Sequence, residues 1–318
     1  MRVLIAGGAG YTGGAVTDYL LKISKMHTPN YEFKVYDNLL YEISYTKKIP
    51  FIYGDVRDTK KLKKWLNWAD CVIWLCALVG DQACELDRPL AKEINTDSLQ
   101  FLKDNFNGKI IFTSSASVYG LADKLLDENS QLNPLSHYAK TKIWAEKFLQ
   151  GTNSIIFRLG TLCGIGDLFS RLRSDLVLNT LVLYAHAKGK INVFGGNQWR
   201  PIINVKDVAK IICQSLNSNK QGIYNLHYQN ITILELANLI KKQFPNLQIE
   251  ITDTKFEDNR NYRVSSDKAK RELGFNPTIT LEDSILELKK LLDEKRIKNP
   301  FNPNYSCYEH LKHLFGGG

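Results

Sequence analysis

Residues 2–14 read RVLIAGGAGYTGG, an apolar run followed by closely spaced glycines. The run predicts a short buried parallel strand, and the apolar spacing of residues 11–25 predicts a helix directly after it. Three of the glycines, Gly7, Gly10 and Gly13, satisfy the pattern G-x-x-G-x-x-G. Glycines in such a turn allow a tight bend, close approach of the backbone to a pyrophosphate, and close contact between helix and strand. Since the helix N-terminus also offers unpaired N–H groups to phosphates, the stretch predicts a dinucleotide-binding loop.

The chain up to residue 160 alternates apolar, strand-like runs with segments of helical spacing. Strands are predicted at 33–37, 51–53, 71–76, 109–113 and 154–159, and helices at 59–66, 89–105 and 137–150. Strands separated by helices predict an α/β fold with a Rossmann-type, doubly wound parallel sheet.

The second half predicts a smaller, discontinuous C-terminal α/β substrate domain, because its loops are longer and the alternation weakens. The expected parts are a dinucleotide-binding domain of 1–160 to which 203–228 returns as strand, helix and strand, a substrate domain of 161–202 and 229–298, and a loop-like tail of 299–318. Residues 195–201 and 253–263 are polar and are expected to be irregular.

Composition excludes several classes of protein. With 318 residues, 44% hydrophobic and 24% charged, the chain has the balance of a folded soluble protein. The longest apolar run, 71–80, is too short to cross a bilayer, and the first residues lack the pattern of a secretory signal. We therefore expect a cytoplasmic protein with no membrane partner. The six cysteines form no C-x-x-C pair, so neither a disulfide framework nor a metal site is expected.

The formal net charge of +9 raises the alternative of nucleic-acid binding. The lysines are dispersed, however, and no basic stripe with interleaved aromatic residues occurs. This favours solvated helix faces and no nucleic-acid partner. A further possibility is that part of the surplus serves an anionic diphosphate substrate.

Two carboxylates bear on the choice of cofactor. Asp37 ends the second predicted strand, 24 residues after Gly13, where a carboxylate can accept both adenosine-ribose hydroxyls and would repel a 2′-phosphate. This indicates NAD rather than NADP. Asp55 ends the third strand, where a carboxylate can accept from the adenine amino group; a turn or helix-capping role is equally consistent with the sequence.

Tyr138 and Lys142 stand at i and i+4 in a predicted helix and therefore share a face. A Tyr base must lose a proton whose usual pKa is ~10, and a nearby ammonium stabilises the phenolate. The bare Y-x-x-x-K spacing also occurs at 184/188 and 308/312. Only the first pair follows a strand that ends in hydroxyl side chains, at residues 113–117, on the sheet edge where ligands bind. A hydroxyl there can hydrogen-bond the substrate oxygen on which the Tyr acts.

Six segments together carry a family resemblance: AGGAGYTGG, YDNL, GDVRD, SSASVYG, YAKTK and RPIINVKDVA. In this order they resemble the extended short-chain dehydrogenase/reductase family. More narrowly they are similar to its NAD-dependent sugar-nucleotide epimerases and dehydratases, of which the UDP-galactose 4-epimerases are familiar members. The resemblance extends from Arg2 to about Leu292.

The resemblance implies a role for each matched residue. Catalysis falls to Ser115, to Tyr138 as general base, and to Lys142, which also holds the nicotinamide ribose. The implied contacts with NAD are Gly7, Gly10, Tyr11, Thr12, Gly13, Asp37, Asn38, Asp55, Val56, Leu75, Ala77, Thr113, Tyr138 and Lys142. The implied contacts with a nucleotide-sugar substrate are Ser115, Ser117, Thr161, Asn179, Arg200 and Arg260, the last as a second diphosphate ligand. The family also implies a homodimer through the helices 89–105 and 137–150.

The implied chemistry is hydride transfer at C4 of the sugar, with Tyr138 taking the hydroxyl proton and Ser115 bridging the oxygen. An epimerase returns the hydride to the other face of the sugar. Family dehydratases carry an Asp-Glu pair after the catalytic hydroxyl residue, whereas this chain has Ala116-Ser117, which argues against water loss.

Two alternatives to epimerisation stay open. Residues 79–84, 173–179 and 258–263 resemble a branch of sugar-nucleotide C4 dehydrogenases, including those acting on GDP-heptoses, so net oxidation or 4-ketoreduction is the first. The second is a non-catalytic NAD-binding sensor or RNA-associated protein on the same fold. Such a protein would keep the glycine loop, but it need not keep the Ser, Tyr and Lys together.

Overall fold

The computed structural model describes residues 1–26, 31–252 and 260–316. Its strands are β1 Arg2–Ala6, β2 Glu32–Asp37, β3 Phe51–Tyr53, β4 Cys71–Trp74, β5 Lys109–Ser115, β6 Leu121–Leu126, β7 Ser154–Leu159, β8 Thr161–Cys163, β9 Lys190–Phe194, β10 Trp199–Asn204, β11 Gly222–Leu226, β12 Gln229–Thr232, β13 Gln248–Thr252 and β14 Asn261–Val264.

The α-helices are α1 Tyr11–Met26, α2 Thr59–Trp68, α3 Asp81–Leu86, α4 Arg88–Lys92, α5 Ser98–Asn105, α6 His137–Phe148, α7 Val177–Lys188, α8 Val205–Gln214, α9 Ile233–Gln243, α10 Asp267–Leu273, α11 Leu281–Asp293 and α12 Cys307–Gly316. A π-helical turn, Glu93–Asp97, joins α4 to α5, so the helix predicted over 89–105 is continuous but locally unwound. Short 3₁₀ turns lie at Ala116–Tyr119, Ser215–Asn217 and Pro303–Tyr305. No helix of the described ranges is long and apolar enough to cross a membrane.

Seven parallel strands form the main sheet in the order β11-β7-β5-β4-β1-β2-β3. The order reverses beside β1, so the C-terminal ends of β1 and β4 flank the point where ligands bind in such sheets. The central strands β4 and β7 are buried along their whole length, as their unbroken apolar runs predict. The predicted Rossmann-type α/β fold is confirmed.

Two apolar clusters sandwich this sheet. One contains α1 and α8, with Val16, Leu20 and Val208 fully buried between helix and sheet. The other contains α2, α5 and parts of α6 and α12 on the opposite face. Each of these helices buries one stripe of side chains against the sheet. This packing fixes the position of the helix N-terminus relative to the sheet edge. The loops at the C-terminal ends of the strands are thereby held close together.

The remaining strands form small sheets beside the main one. They pair as β12-β10-β8, β13-β9 and β14-β6. A third apolar cluster lies between these strands and helices α7, α9 and α11. Of the segment 203–228, β11 joins the main sheet and α8 packs against α1, whereas β10 pairs with β8 and β12.

Three expectations of irregular structure are corrected. The tail is not loop-like, because α12 buries Cys307 and Leu311, one helical turn apart, against the sheet's second cluster. Trp199–Asn204 is a strand because two partner strands supply its hydrogen bonds. Of 253–263, residues 253–259 lie outside the described residues, and Asn261–Val264 forms a strand with β6. In all three cases the partners are distant in sequence, so local composition did not reveal them.

Candidate functional site

A cavity opens at the switch point of the main sheet. The predicted cofactor contacts that line it are Gly7, Gly10, Tyr11, Thr12, Gly13, Asp37, Asn38, Asp55, Val56, Leu75 and Ala77. The other residues in its wall, for which sequence analysis predicted no contact with the cofactor, are Leu40, Tyr41, Glu42, Gly54, Cys76, Val79, Ile94, Arg171, Arg173 and Cys307. The structure therefore brings the predicted phosphate loop and the two predicted carboxylates into one site.

The glycine loop has the shape that a pyrophosphate requires. Gly7 adopts φ +81°, and a Cβ there would lie 2.7 Å from the Cys76 nitrogen. A Cβ on Gly13 would lie 2.5 Å from the Gly7 oxygen, so the helix touches the strand only because both residues lack a side chain. Beside Gly10, by contrast, the nearest atom to an added Cβ is the Gly7 oxygen at 3.8 Å. Open space thus remains where the N–H groups of α1 begin, and the loop fits a dinucleotide phosphate.

A buried ion pair supports the loop from outside the cavity. Lys47 Nζ donates to the Ala9 carbonyl at 3.1 Å and lies 3.1 Å from Asp167 Oδ2, with both side chains only 4% exposed. Asp167 also accepts from the backbone and hydroxyl of Ser170. The pair ties the segment after β8 to the glycine loop. No motif marks Lys47, and only the folded chain shows its position.

Asp37, Asn38 and Asp55, which were predicted to contact the adenosine part of the cofactor, line one part of the cavity. Asp37 accepts from the backbone N–H of Ala9 at 3.0 Å and of Leu39 at 2.8 Å, while burial raises the pKa of its carboxyl. Asn38 donates to Asp55 at 3.0 Å. Hydrogen bonds from Arg57 lower the pKa of Asp55 to about 2. Both carboxylates lie in the cavity wall. Asp37 accepts only two backbone N–H groups and keeps acceptor sites for a ligand, whereas Asp55 already accepts four donors from Asn38 and Arg57.

Two guanidinium groups face the phosphate loop from the other wall. Arg173 is buried, pairs with Asp175 at 2.6 Å, and lies over the Tyr11 ring. Arg171 donates to Cys307 Sγ at 2.9 Å and thereby holds the start of α12 against the cavity. These cations favour a ligand with negative charge in the cavity. Arg173 begins a segment that resembles the dehydrogenase branch, but no phosphate-binding pattern marks either arginine, so sequence analysis did not place them in the cavity.

Ser115 ends β5 at the same edge of the sheet. Its oxygen accepts from the Ser117 backbone at 3.1 Å and from the Ser117 hydroxyl at 2.8 Å. A hydroxyl that already accepts twice is disposed to donate its own hydrogen to a further oxygen. Ser117 is buried and therefore positions Ser115. Thr113, also buried, offers its carbonyl to Lys142 at 2.9 Å.

Tyr138 and Lys142 occupy one face of α6, whose N-cap is Ser136. Lys142 Nζ lies 5.7 Å from the centre of the Tyr138 ring, and burial lowers the pKa of this ammonium to about 8. Burial raises the pKa of Tyr138 well above its ordinary value. Tyr138 packs in the cluster that contains Cys76 and Val79 of the cavity wall. Within the described ranges its hydroxyl makes no hydrogen bond, so it is available to a ligand.

A buried polar network fixes α6 to the sheet beneath these residues. Glu146 and Arg158 pair at 2.7 Å with side chains 4% exposed. Glu146 also accepts from Ser114 at 2.5 Å, and Arg158 donates to the Tyr119 hydroxyl at 2.8 Å. The network joins α6, β5, β7 and the turn after Ser115. It therefore sets the spacing between the Tyr138 helix and Ser115.

The predicted substrate contacts outside this edge are placed differently. Asn179 is fully buried, and its amide bonds the backbone of Gly164 on both sides at 2.9 and 3.1 Å. It therefore orders the loop that leads to Arg173. Thr161 opens β8 beside β10 and is partly buried. Neither side chain lines the cavity.

The two predicted substrate arginines adjoin one another. Arg200 is buried, and its guanidinium donates to the Trp199 and Arg260 carbonyls. Arg260 in turn lies 3.4 Å from Asp81, at the start of α3. Arg260 thus approaches the helix that bears Tyr138. In the part of the chain that the structure describes, no three His, Cys, Asp or Glu side chains gather where they could hold a metal ion.

Comparison with known proteins places this geometry in context. The sequence model of the NAD dependent epimerase/dehydratase family matches residues 3–227. A UDP-glucose 4-epimerase from Lactobacillus helveticus is 27% identical over 90% of this chain and 95% of that protein. A putative UDP-glucose 4-epimerase from Methanocaldococcus jannaschii is 26% identical over 89% of this chain and 95% of that protein. The structure of UDP-glucose 4-epimerase from Thermotoga maritima with UDP-glucose has the same fold, with a TM-score of 0.80 at 20% identity, covering 93% of this chain and 100% of that one.

Proposed function

The chain belongs to the NAD-dependent epimerase/dehydratase family, and from that premise we propose that it is a nucleotide-sugar 4-epimerase in which Ser115, Tyr138 and Lys142 carry the reaction. It is an NAD-dependent enzyme acting on nucleotide sugars. The observation that carries the proposal is the Tyr138 hydroxyl, which no described residue engages, on one helix face with a buried Lys142. The glycine loop, the cavity and the cation-rich wall fit NAD.

The residues can divide the chemistry in a consistent way. NAD bound at the glycine loop supplies the hydride acceptor and donor. Tyr138, as phenolate, takes the proton of the C4 hydroxyl, while Ser115 donates to the same oxygen. The Lys142 ammonium stabilises the phenolate and holds the nicotinamide ribose. The 4-keto sugar turns over within the site before Tyr138 returns the proton to the oxygen.

Dehydration is disfavoured by the residues after Ser115. Besides Tyr138, loss of water from the sugar requires a second base and an acid near the sugar. Ala116 and Ser117 are both buried, and neither carries an ionisable group. A C4 dehydrogenase with net redox change is the second candidate. It is favoured by the pairing of Asp81 with Arg260, because these residues lie in segments that resemble the dehydrogenase branch.

The test is to incubate the purified protein with UDP-glucose, UDP-N-acetylglucosamine, dTDP-glucose and GDP-mannose in separate reactions. The 4-epimers are quantified by chromatography, and cofactor reduction by absorbance. We expect one of these to be epimerised without net NADH formation. Stoichiometric accumulation of ketone and NADH would instead establish the dehydrogenase. No reaction with any member of the panel and no change in absorbance would contradict both.

The role of Tyr138 is tested with a matched pair of variants. Tyr138→Phe removes only the proposed base, and we expect turnover to fall about 10²- to 10⁴-fold. Tyr184→Phe makes the same change in another helical pair with Y-x-x-x-K spacing, where the Tyr184 ring contacts Phe301 edge-to-face and does not line the cavity. It should retain wild-type turnover. Near wild-type turnover of Tyr138→Phe would overturn the assignment.

We further propose a cytoplasmic homodimer whose interface is formed by the helices α4–α5 and α6. In support, Trp144 of α6 is 40% exposed, although Trp buries a large apolar surface when it is covered. The substrate domain of 161–202 and 229–298 would lie outside this interface. Light scattering should give twice the chain mass, and Trp144→Glu should give the single mass. A monomeric wild type at micromolar concentration would contradict the dimer.

A further inference from the structure

Asp81 lies on the loop that leads from β4 over the cavity. Val79, two residues earlier, lines the cavity wall. Asn95, in the π-helical turn, holds this loop by accepting from the Leu78 N–H at 2.7 Å and donating to its carbonyl at 3.0 Å. The position of Asp81 at the beginning of α3 is therefore fixed by the fold. π-Helical turns often occur at functional sites, where they redirect a side chain.

The Asp81 carboxylate makes two different contacts. Oδ1 accepts from the Ser136 hydroxyl at 2.5 Å, and Ser136 caps α6 by accepting from Ala139. Oδ2 lies 3.4 Å from Arg260 Nη1, longer than a charge-assisted hydrogen bond of about 2.8 Å. Both partners of this pair are about one-third exposed, with side-chain values of 31% and 30%. Both side chains are therefore partly accessible to a solute.

Asp81 also lies close to the proposed base. The charge of Asp81 contributes to the raised pKa of Tyr138. Tyr138 lies two residues after Ser136, the N-cap that Asp81 contacts. Arg260 reaches the same region through its pair with Asp81, and Arg200 holds its backbone carbonyl. A carboxylate that contacts the N-cap of α6 and a guanidinium beside that carboxylate thus lie at the end of α6 that carries Tyr138.

A purely structural role explains only part of this arrangement. Ser136 caps α6 through its own oxygen, and that function does not need a carboxylate behind it. The second oxygen of Asp81 lies 3.4 Å from Arg260 Nη1, so this contact is not a short charge-assisted hydrogen bond. A carboxylate paired at long range keeps lone pairs available, and carboxylates accept strongly from hydroxyl donors.

We propose that Asp81 and Arg260 read the sugar: Asp81 accepts a hydrogen bond from a sugar hydroxyl other than the reacting one, and Arg260 donates to a neighbouring sugar oxygen. This assignment rests on the proposed function, because Tyr138 marks the reacting carbon. It makes Asp81 a specificity-determining residue and moves Arg260 from the expected diphosphate contact to the sugar.

The test measures kcat/KM of Asp81→Asn on the nucleotide sugar of the panel that reacts fastest and on its 2-, 3- and 6-deoxy analogues. The amide keeps an oxygen for Ser136 but removes the charge that faces Arg260. We expect a loss of about 10- to 100-fold on the parent substrate. On one of the deoxy analogues the same substitution should lower kcat/KM by less than about twofold, because the hydroxyl that donates to Asp81 is absent.

Two control variants separate this role from stability. Asp87→Asn makes the same change in a carboxylate that caps α4 through the Leu90 N–H, and it should leave kcat/KM unchanged on every substrate. Ser136→Ala removes the hydrogen bond to Asp81 without touching the carboxylate. Ser136→Ala should lower the midpoint of thermal unfolding. The ratio of kcat/KM on the parent substrate to kcat/KM on each deoxy analogue should stay as in the wild type.

The pH profile gives an independent readout. The groups that affect the Tyr138 pKa are Cys84, Asp81, Arg173 and Cys307, with Lys142 facing its ring from α6. The negative charge of Asp81 raises the pKa of Tyr138, so its removal lowers that pKa. The acid limb of kcat/KM should therefore move to lower pH in Asp81→Asn and stay in place in Asp87→Asn.

The outcomes distinguish this inference from the function beneath it. If Tyr138→Phe is inactive while Asp81→Asn matches the wild type on all substrates, the proposed role of Asp81 is wrong and the function stands. An equal loss on the parent and all three deoxy analogues would likewise show that Asp81 only supports the fold. If Tyr138→Phe keeps wild-type turnover, the proposed function fails, and the role of Asp81 fails with it.

Discussion

Replacing Gly13 by alanine should displace the phosphate loop and nearly abolish NAD binding. The added Cβ would lie 2.5 Å from the Gly7 oxygen and 2.5 Å from the Gly8 Cα, whereas ordinary contact begins at 3.4 Å. The backbone must therefore move by roughly 0.9 Å, since none of these atoms belongs to a flexible side chain. A misplacement of about 1 Å costs on the order of 100-fold where several groups must meet one ligand.

The same substitution affects the cofactor-free protein less. Overpacking costs about 1–3 kcal/mol, of which up to about 1 kcal/mol is recovered because alanine favours a helix more than glycine does. We expect the free energy of unfolding to fall by roughly 1–2 kcal/mol. Gly10→Ala is the control, because its Cβ would have no neighbour closer than 3.8 Å, and it should unfold like the wild type.

Calorimetric titration of cofactor-free protein with NAD and urea unfolding measure both quantities. If Gly13→Ala binds NAD within twofold of the wild type and unfolds at the same urea concentration, the argument from close approach is wrong. A loss of stability in Gly10→Ala as large as that in Gly13→Ala would show that any side chain in the loop is harmful, whatever it contacts.

Three further substitutions test how the site is built. Lys142→Met should inactivate the enzyme yet raise the free energy of unfolding at pH 7 by about 1–2 kcal/mol. Burial holds the Lys142 pKa near 8 in the folded state, and the unfolded chain binds the same proton more tightly, so at pH 7 the charged lysine favours unfolding. This advantage should fade as pH rises towards the ordinary lysine pKa, and destabilisation at pH 7 would contradict it. Arg158→Met leaves the Glu146 charge buried and unpaired and should lower the free energy of unfolding, measured in urea, by about 3–5 kcal/mol. The double variant with Glu146→Leu should recover at least half of that loss, and no recovery would exclude the unpaired charge as its cause. Leu311→Asp should detach α12, which carries Cys307 of the cavity wall, and lower the NAD retained through gel filtration; wild-type retention would show that α12 does not close the site.

The parts of the molecule that could be predicted are those whose cause is local. The period of apolar residues marks strand or helix within a few residues, and Gly7, Gly10 and Gly13 carry their own steric reason. Asp37 follows because it ends the strand beside that loop. These features need no knowledge of distant contacts, which is why the order of elements agrees with the prediction and eleven of the fourteen predicted cofactor contacts line the cavity.

The parts that could not be predicted depend on contacts between distant segments. Lys47 reaches the glycine loop and Asp167 only after folding, and Arg173 enters the cavity because Asn179 holds its loop. The tail was predicted to be loop-like because α12 is held by partners more than a hundred residues earlier in the chain, among them Arg171 and Asp175, which hydrogen-bond Cys307. No pairing of β9 with β13 could be inferred, since their sequences alone fix no partner.

The most direct test of the central claim follows a deuterium at C4 of the nucleotide sugar that the enzyme accepts, in unlabelled water. If Tyr138 removes a proton from oxygen while the C4 hydrogen leaves and returns as hydride, mass and NMR spectra should show the deuterium retained at C4 of the 4-epimer. The account predicts full retention of deuterium in the epimer, which Tyr138→Phe should form about 10²- to 10⁴-fold more slowly. Deuterium lost to water during epimerisation would contradict hydride transfer at C4 and with it the proposed mechanism.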